Sequence, residues 1–326
     1  MMRDRTYWHW SIIIMLVCVH ISFPSFARDE PFSPPDDPGR FGKWIDRTHQ
    51  KISDRVLKTS ERFDAFFGDK RVKEEQDATQ IIVAPTLTFS EGKFIEATCP
   101  LTINLVLPYL KNRWHLMVET LLQEEKTNDD ESETADDEEH DVRVSLRYKV
   151  MQQAQRWLSL DAGVKIQTDK ILSPFGRVRF RHIFDFDPWG LRFTQFLFWM
   201  EDEGWGESSQ FDIDRKLRQD LLFRISNQAL WSESSQGLEF SQTYSLRWQL
   251  SRRRALEIDL SGQGHTRPSF AIDEYETAVV FRRRLYRNWL FSEIKPGVRA
   301  LREDDFDWDP FVMLKIECTF GEIFAR

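Results

Sequence analysis

Residues 175–200 read FGRVRFRHIFDFDPWGLRFTQFLFWM, and the period of that stretch decides the fold. Arg177, Arg179, Arg181 and Asp185 alternate with Val178, Phe180, Phe184 and Phe186. A period of two is that of a strand, because successive side chains of a strand point to opposite faces. Asp187-Pro188-Trp189-Gly190 supplies a turn. A second run then sets Leu191, Phe193, Leu197 and Trp199 against Arg192 and Thr194. The stretch is therefore a hairpin with one apolar and one charged face. In a soluble sheet the apolar face meets a core and the arginines meet water. Nearly all of this chain consists of such hairpins, which admits a second solution. The sheet closes on itself, with lipid outside and water or polar side chains inside.

Composition is compatible with that solution. The chain has 326 residues, 41% of them hydrophobic, and its mean hydropathy of −0.50 excludes a stack of membrane helices. A membrane barrel needs an apolar residue only at every second strand position. The 12 Trp and 26 Phe would furnish interfacial girdles. A formal charge of −8 argues against nucleic acid as a general partner.

Residues 1–27 read as a cleaved secretory signal. Arg3 and Arg5 form the basic start, Ser11 to Ile21 the short apolar run, and Ser25-Phe26-Ala27 the small-residue cleavage site. Cys99 and Cys318 remain after cleavage, and both fall on faces read as lipid-facing. They are read as small apolar residues rather than as a disulfide or a nucleophile. Residues 28–41 are a Pro- and Asp-rich linker, expected to be disordered. Residues 42–68 form the one convincing helix, amphipathic and periplasmic, with Trp44, Ile52, Phe63, Phe66 and Phe67 on its contact face. Its last turn, Asp64-Ala65-Phe66-Phe67-Gly68-Asp69, carries an aromatic cluster that must be buried. The rim of the barrel, its lumen or a partner would each bury it.

From Thr79 to the end, residues 79–326, the pattern is strands. About fourteen alternating runs are separated by turns. In 141–150, Val142, Val144, Leu146, Tyr148 and Val150 oppose Arg143, Ser145, Arg147 and Lys149. In 237–250, Leu238, Phe240, Tyr244, Leu246, Trp248 and Leu250 oppose Glu239, Ser241, Thr243, Ser245 and Arg247. Every second connection is short, as at 108–112, 187–188 and 251–254, and the other set holds the long ones, as at 123–140, 201–207 and 302–309. Membrane barrels have short periplasmic turns and longer outer loops. A soluble sandwich has no reason to alternate in this way.

On these residues the chain resembles bacterial outer-membrane β-barrel proteins, over the signal and over Thr79 to the end. The resemblance implies an all-β transmembrane antiparallel barrel, outer-membrane lipid as its surroundings, and the barrel-assembly machinery as a partner during biogenesis. It also implies an assembly signal in a last strand that ends on an aromatic residue. The run 310–320 ends on Phe320, with Lys315 where a glycine is common and Cys318 where an aromatic is common.

The charged face is expected to line the lumen, with Arg177, Arg179, Arg181, Arg192, Asp161 and Asp185 as its central cluster. Charge rings would make an ion-selective pore. Cross-strand ion pairs would fill a narrow lumen. With both signs plentiful, the ion-pair network is the favoured reading. The four arginines are the candidate anion-preferring constriction. The acidic loop at 124–141 lacks the ligand spacing of a calcium loop and is read as solvated. His182, His115, His140 and His265 are read as structural, and no GxSxG, HExxH, phosphate loop or CxxC occurs. The expected protein is thus porin-like or structural, without catalytic site, metal or cofactor. An outer-membrane hydrolase, with His265 or Ser269, and a soluble periplasmic β-protein are the alternatives.

Overall fold

The computed structural model describes residues 63–64, 66–67, 79–90, 95–107, 113–121, 141–153, 155–166, 172–186, 188–235, 237–286 and 289–321. The expected signal, the linker, most of the 42–68 helix with Trp44 and Ile52, and the acidic loop at 124–140 lie outside these residues. Phe63, Asp64, Phe66 and Phe67 have helical backbone. They belong to one compact unit with the strands, Thr48–Arg326.

The first half of the wall comprises β1 (Gln80–Val83), β2 (Thr86–Ser90), β3 (Glu96–Thr98), β4 (Leu101–Val106), β5 (Trp114–Leu121), β6 (Asp141–Gln152), β7 (Arg156–Ile166) and β8 (Ser173–Phe186). The second half comprises β9 (Trp189–Met200), β10 (Gly204–Arg218), β11 (Leu221–Ser232), β12 (Leu238–Ser251), β13 (Arg254–His265), β14 (Ala271–Tyr286), β15 (Leu290–Leu301) and β16 (Trp308–Gly321). β1 and β2 are one stave interrupted at Ala84-Pro85, and β3 and β4 are one stave interrupted at Cys99-Pro100. The sixteen segments therefore make fourteen staves, and β16 pairs with both β1 and β2 to close the sheet. Proline has no N–H to give a ladder. Each proline carbonyl still accepts, from Ala84 N to Pro100 O at 3.1 Å and from Ile316 N to Pro85 O at 3.0 Å.

The closed sheet is apolar outside and charged inside. Leu260 is 52% exposed, and Val178, Leu197, Tyr244, Ile258, Leu314 and Ile316 are also exposed. Arg147, Asp161, Arg181, Asp214, Arg224 and Arg282 are buried, Arg224 to 1%. A soluble sandwich would show the reverse. Two aromatic girdles bound the apolar band. At the short-turn end, Trp114 lies on Tyr148 with ring centroids 4.8 Å apart, and Trp289 lies on Phe320 at 6.1 Å. Trp248 Nε1 there donates to Asp220 at 3.0 Å. At the loop end lie Trp199, Trp205, Tyr275, Phe270 and Trp308, the last 81% exposed. From Trp189 to Trp199, both outward on β9, the strand runs about 33 Å. At the usual tilt that is about 25 Å of height, the thickness of an outer-membrane apolar band.

Several boundaries differ from the sequence expectation, most of all at the loop end. The loop expected at 201–207 is a turn of Glu201, Asp202 and Glu203, and β10 begins at Gly204. The alternation of Gly206, Ser208 and Gln210 is weak because small and polar residues line the inner wall there. Phe198 lies over Gly206 and fills the space a side chain would take. The turn closes on Gly204 at φ 76°, where a Cβ would meet the Glu233 carboxylate at 2.2 Å. His265 is the last residue of β13.

A charge on the outer face has no water or counter-ion at mid-membrane. Leu260→Arg is expected to destabilise the folded barrel by about 2–4 kcal/mol, whereas inward Thr243→Ser stays within about 0.5 kcal/mol. Urea unfolding in lipid vesicles measures both, and equal effects would refute the assignment of faces.

Candidate functional site: the charged lumen

The inner wall pairs its charges through strand register. Residues opposed on neighbouring antiparallel strands have adjacent side chains. Asp161 on β7 stands opposite Arg147 on β6 and Arg177 on β8. Arg147 Nε donates to Asp161 Oδ1 at 2.7 Å, and Arg177 Nη2 donates to Asp161 Oδ2 at 2.7 Å. Arg224 stands opposite Asp214, and its Nε donates to Asp214 Oδ1 at 2.6 Å. Arg247 stands opposite Glu257 and pairs with it. Arg282 holds Glu293 and Glu317, each at 2.9 Å, and Lys315 reaches Glu293 at 3.2 Å. Arg299 pairs with Asp309 at 2.9 Å.

The four arginines expected to form a constriction are distributed over different partners. Arg177 is held by Asp161. Arg179 lies against the Phe196 ring at 5.5 Å and Arg181 against Trp157 at 3.8 Å. Such contacts place a cation on the negative face of the ring. Arg192 turns to a residue outside the wall. Asp185 lies inward, near the short-turn end of β8.

That outside residue is Asp64, and it is fully buried. Its Oδ1 accepts from Arg224 Nη1 at 2.6 Å and from Arg247 Nη1 at 2.8 Å. Its Oδ2 accepts from Arg192 Nη2 at 3.0 Å and Arg224 Nη2 at 3.1 Å. Three guanidiniums from three staves thus converge on one carboxylate of a preceding segment. Burial alone would raise the pKa of Asp64, but Arg224, Arg192 and Arg247 hold its carboxyl well below the usual carboxylate range. The group stays charged in the lumen.

The aromatic residues beside Asp64 are held by the same wall. Phe66 meets Phe291 edge to face at 5.8 Å and packs with Ala255. Arg284 lies over the Phe66 ring at 5.6 Å and Arg247 over Phe67 at 5.4 Å. Arg192, Arg224, Arg247, Phe291 and Arg284 all belong to the halves of their strands nearest the short turns. Asp64, Phe66 and Phe67 therefore lie inside the barrel at that end.

The sequence shows Asp64 only as a neighbour of the aromatic cluster. A single acidic residue on a helix carries no mark of the arginines it will meet. Glu293, Lys295 and Arg299 of β15 also escape a sequence reading. Pro296 and Gly297 interrupt the alternation of their strand and hide which residues face inward.

The histidines have separate settings. His182 faces outward between Phe180 and Phe184, with the Phe184 centroid 4.0 Å away. His115 faces inward and lies 3.0 Å from Asn104 Oδ1. His265 Nδ1 lies 2.7 Å from Asp273 Oδ2 at the loop end. Cys99 and Cys318 are free thiols. Among the described residues, no group of three or more His, Cys, Asp or Glu is placed to hold a metal ion.

Closure, the apolar outer band and the polar interior define a transmembrane β-barrel of the bacterial outer membrane. No protein-family model matches the chain, and no curated protein matches it either. Solved structures resemble it in architecture. A bacterial polysaccharide outer membrane secretin aligns at 10% identity over 75% of this chain and 99% of its own, with a TM-score of 0.47. The outer membrane channel DcaP of Acinetobacter baumannii aligns at 9% identity over 74% and 96%, with a TM-score of 0.43. The KdgM porin, solved with a disordered oligogalacturonate, aligns at 8% identity over 73% and 99%, with a TM-score of 0.37.

Removing one member of a buried ion pair strands the others. Asp161→Asn is expected to destabilise the barrel by about 3–5 kcal/mol. The double change Arg147→Met with Asp161→Leu is expected to recover part of that loss, read as the urea midpoint in vesicles. A single variant as stable as the parent would show that the pair carries no such weight.

Proposed function

We propose that the chain is a porin-like channel for small hydrophilic solutes, closed near its short-turn end by the 63–67 segment. The carrying observation is the fully buried Asp64 carboxylate inside the charged wall. A barrel serving only as a scaffold gains nothing from a charged inner face. Replacing buried ion pairs with apolar side chains is often neutral or stabilising. A charged inner face suits passage of polar solutes, and charged linings govern which ions enter.

On this reading the chain is exported by its first 27 residues. The assembly machinery then engages the last strand, ending near Phe320. The segment carrying Phe63, Asp64, Phe66 and Phe67 lies in the lumen and blocks it. Residual passage depends on how often its tip leaves the arginines.

Full-length protein in a planar bilayer is expected to show small or infrequent openings. Asp64→Ala, in preparations that keep the mobility difference between boiled and unboiled samples, is expected to raise the mean current several-fold. Silence from both proteins would mark a closed scaffold and overturn the channel reading.

A further inference from the structure

Arg192 holds more hydrogen-bonding capacity than Asp64 uses. Its side chain is buried, with the residue 5% exposed, and Nη2 donates to Asp64. Its Nε and Nη1 find no acceptor among the described residues. Two residues on, at the next inward position of β9, Thr194 is 1% exposed and its Oγ1 also lacks a partner there. Buried donors without acceptors are uncommon in folded proteins, because each loses its hydration and gains nothing in exchange. Here they stand at successive inward positions of one strand, and Arg192 reaches a carboxylate.

The register sharpens the point. Arg192 stands opposite Asp212 on β10, the partner that cross-strand pairing would give it. Asp212 instead accepts from Ser226 Oγ at 2.7 Å and Gln210 Nε2 at 3.1 Å. Arg224 and Arg247 each hold a wall carboxylate, Asp214 and Glu257, as well as Asp64. For Arg192, Asp64 is the one carboxylate partner among the described residues. When Asp64 withdraws, Arg192 loses its one carboxylate partner among the described residues and faces the lumen, where another anion can take the place of Asp64.

We infer that Arg192 and Thr194, with Arg224 and Arg247, form a binding site for the carboxylate of a solute, which Asp64 occupies as an internal competitor. This rests on the channel reading above and gives it a solute class. Guanidiniums suit carboxylates because their planar N–H pairs match the two oxygens. Phe291 and Ala255 of the wall receive the Phe66 ring beside the arginines, so a carboxylate joined to a flat apolar group fits the space the segment leaves. Such a solute entering the lumen exchanges with Asp64 and displaces the tip of the segment. A neutral solute has no means of doing so.

The test titrates sodium benzoate into the folded full-length protein in detergent, at constant ionic strength against sodium chloride, and reads heat. Hydrogen exchange of the 63–67 amides is followed in parallel. Benzoate is expected to speed exchange of those amides in the parent protein. If the segment is docked nine times in ten, Asp64→Ala binds benzoate about tenfold more tightly than the parent. Adding Arg192→Gln abolishes that gain. Asp64→Asn, which keeps the side-chain size, replaces the alanine variant if that one does not fold. Equal affinity of parent and Asp64 variants overturns the inference, as does undiminished binding without Arg192 or exchange that ignores benzoate. Calorimetry reads the site without current, so a silent bilayer with intact binding rejects the channel alone. Conductance without benzoate binding rejects the site alone.

Discussion

A backbone amide in hydrocarbon has no water to bond, and every other feature of this protein follows from that. A sheet with an open edge would leave a whole row of such groups unpaired. The chain answers by bringing β16 back to β1 and β2. Closure then fixes the faces, since alternate side chains must point to lipid or to the interior. An apolar band about 25 Å thick tolerates few charges on the first face, so the charges go to the second.

Charges collected inside must be neutralised there, and register decides with whom. Arg147 with Asp161, Asp214 with Arg224 and Arg247 with Glu257 are all direct cross-strand partners. The interior is thus a consequence of the ladder. Asp64 lies outside that scheme. It enters from outside the wall and makes three arginines of separate staves share one acceptor. The site lies where the regular pairing scheme is broken, at Arg192, whose opposite residue has been taken by Ser226 and Gln210.

The wall was legible in the sequence because its signal is local and repeats. Two-residue alternation in 141–150 and 237–250 fixes both the strand and its faces without knowledge of any neighbour. The alternation of short and long connections gives direction. Legibility fails where small or polar residues blur the alternation, as before Gln210 and around Pro296-Gly297. It fails more deeply at Asp64. That contact joins residues 64, 192, 224 and 247, and nothing within a few positions of any of them records the others. The aromatic tip announces that it needs burial, but three different surfaces could have provided it.

The interrupted first stave has a consequence for how the barrel comes apart. β1 offers four residues and β2 five to β16, whereas β14 is a run of sixteen. Two prolines lie at the breaks and remove donors from the ladder. Among the described residues the shortest ladders lie beside that join: seven pairs hold β1 and β2 to β4 and β3, and five hold β4 to β5, against nine at β16. Local opening follows the weakest cooperative unit. The cylinder thus has one thin sector, formed by its first staves, and opens there before it opens elsewhere. The long staves from β8 to β15 persist as a curved sheet after that sector has parted.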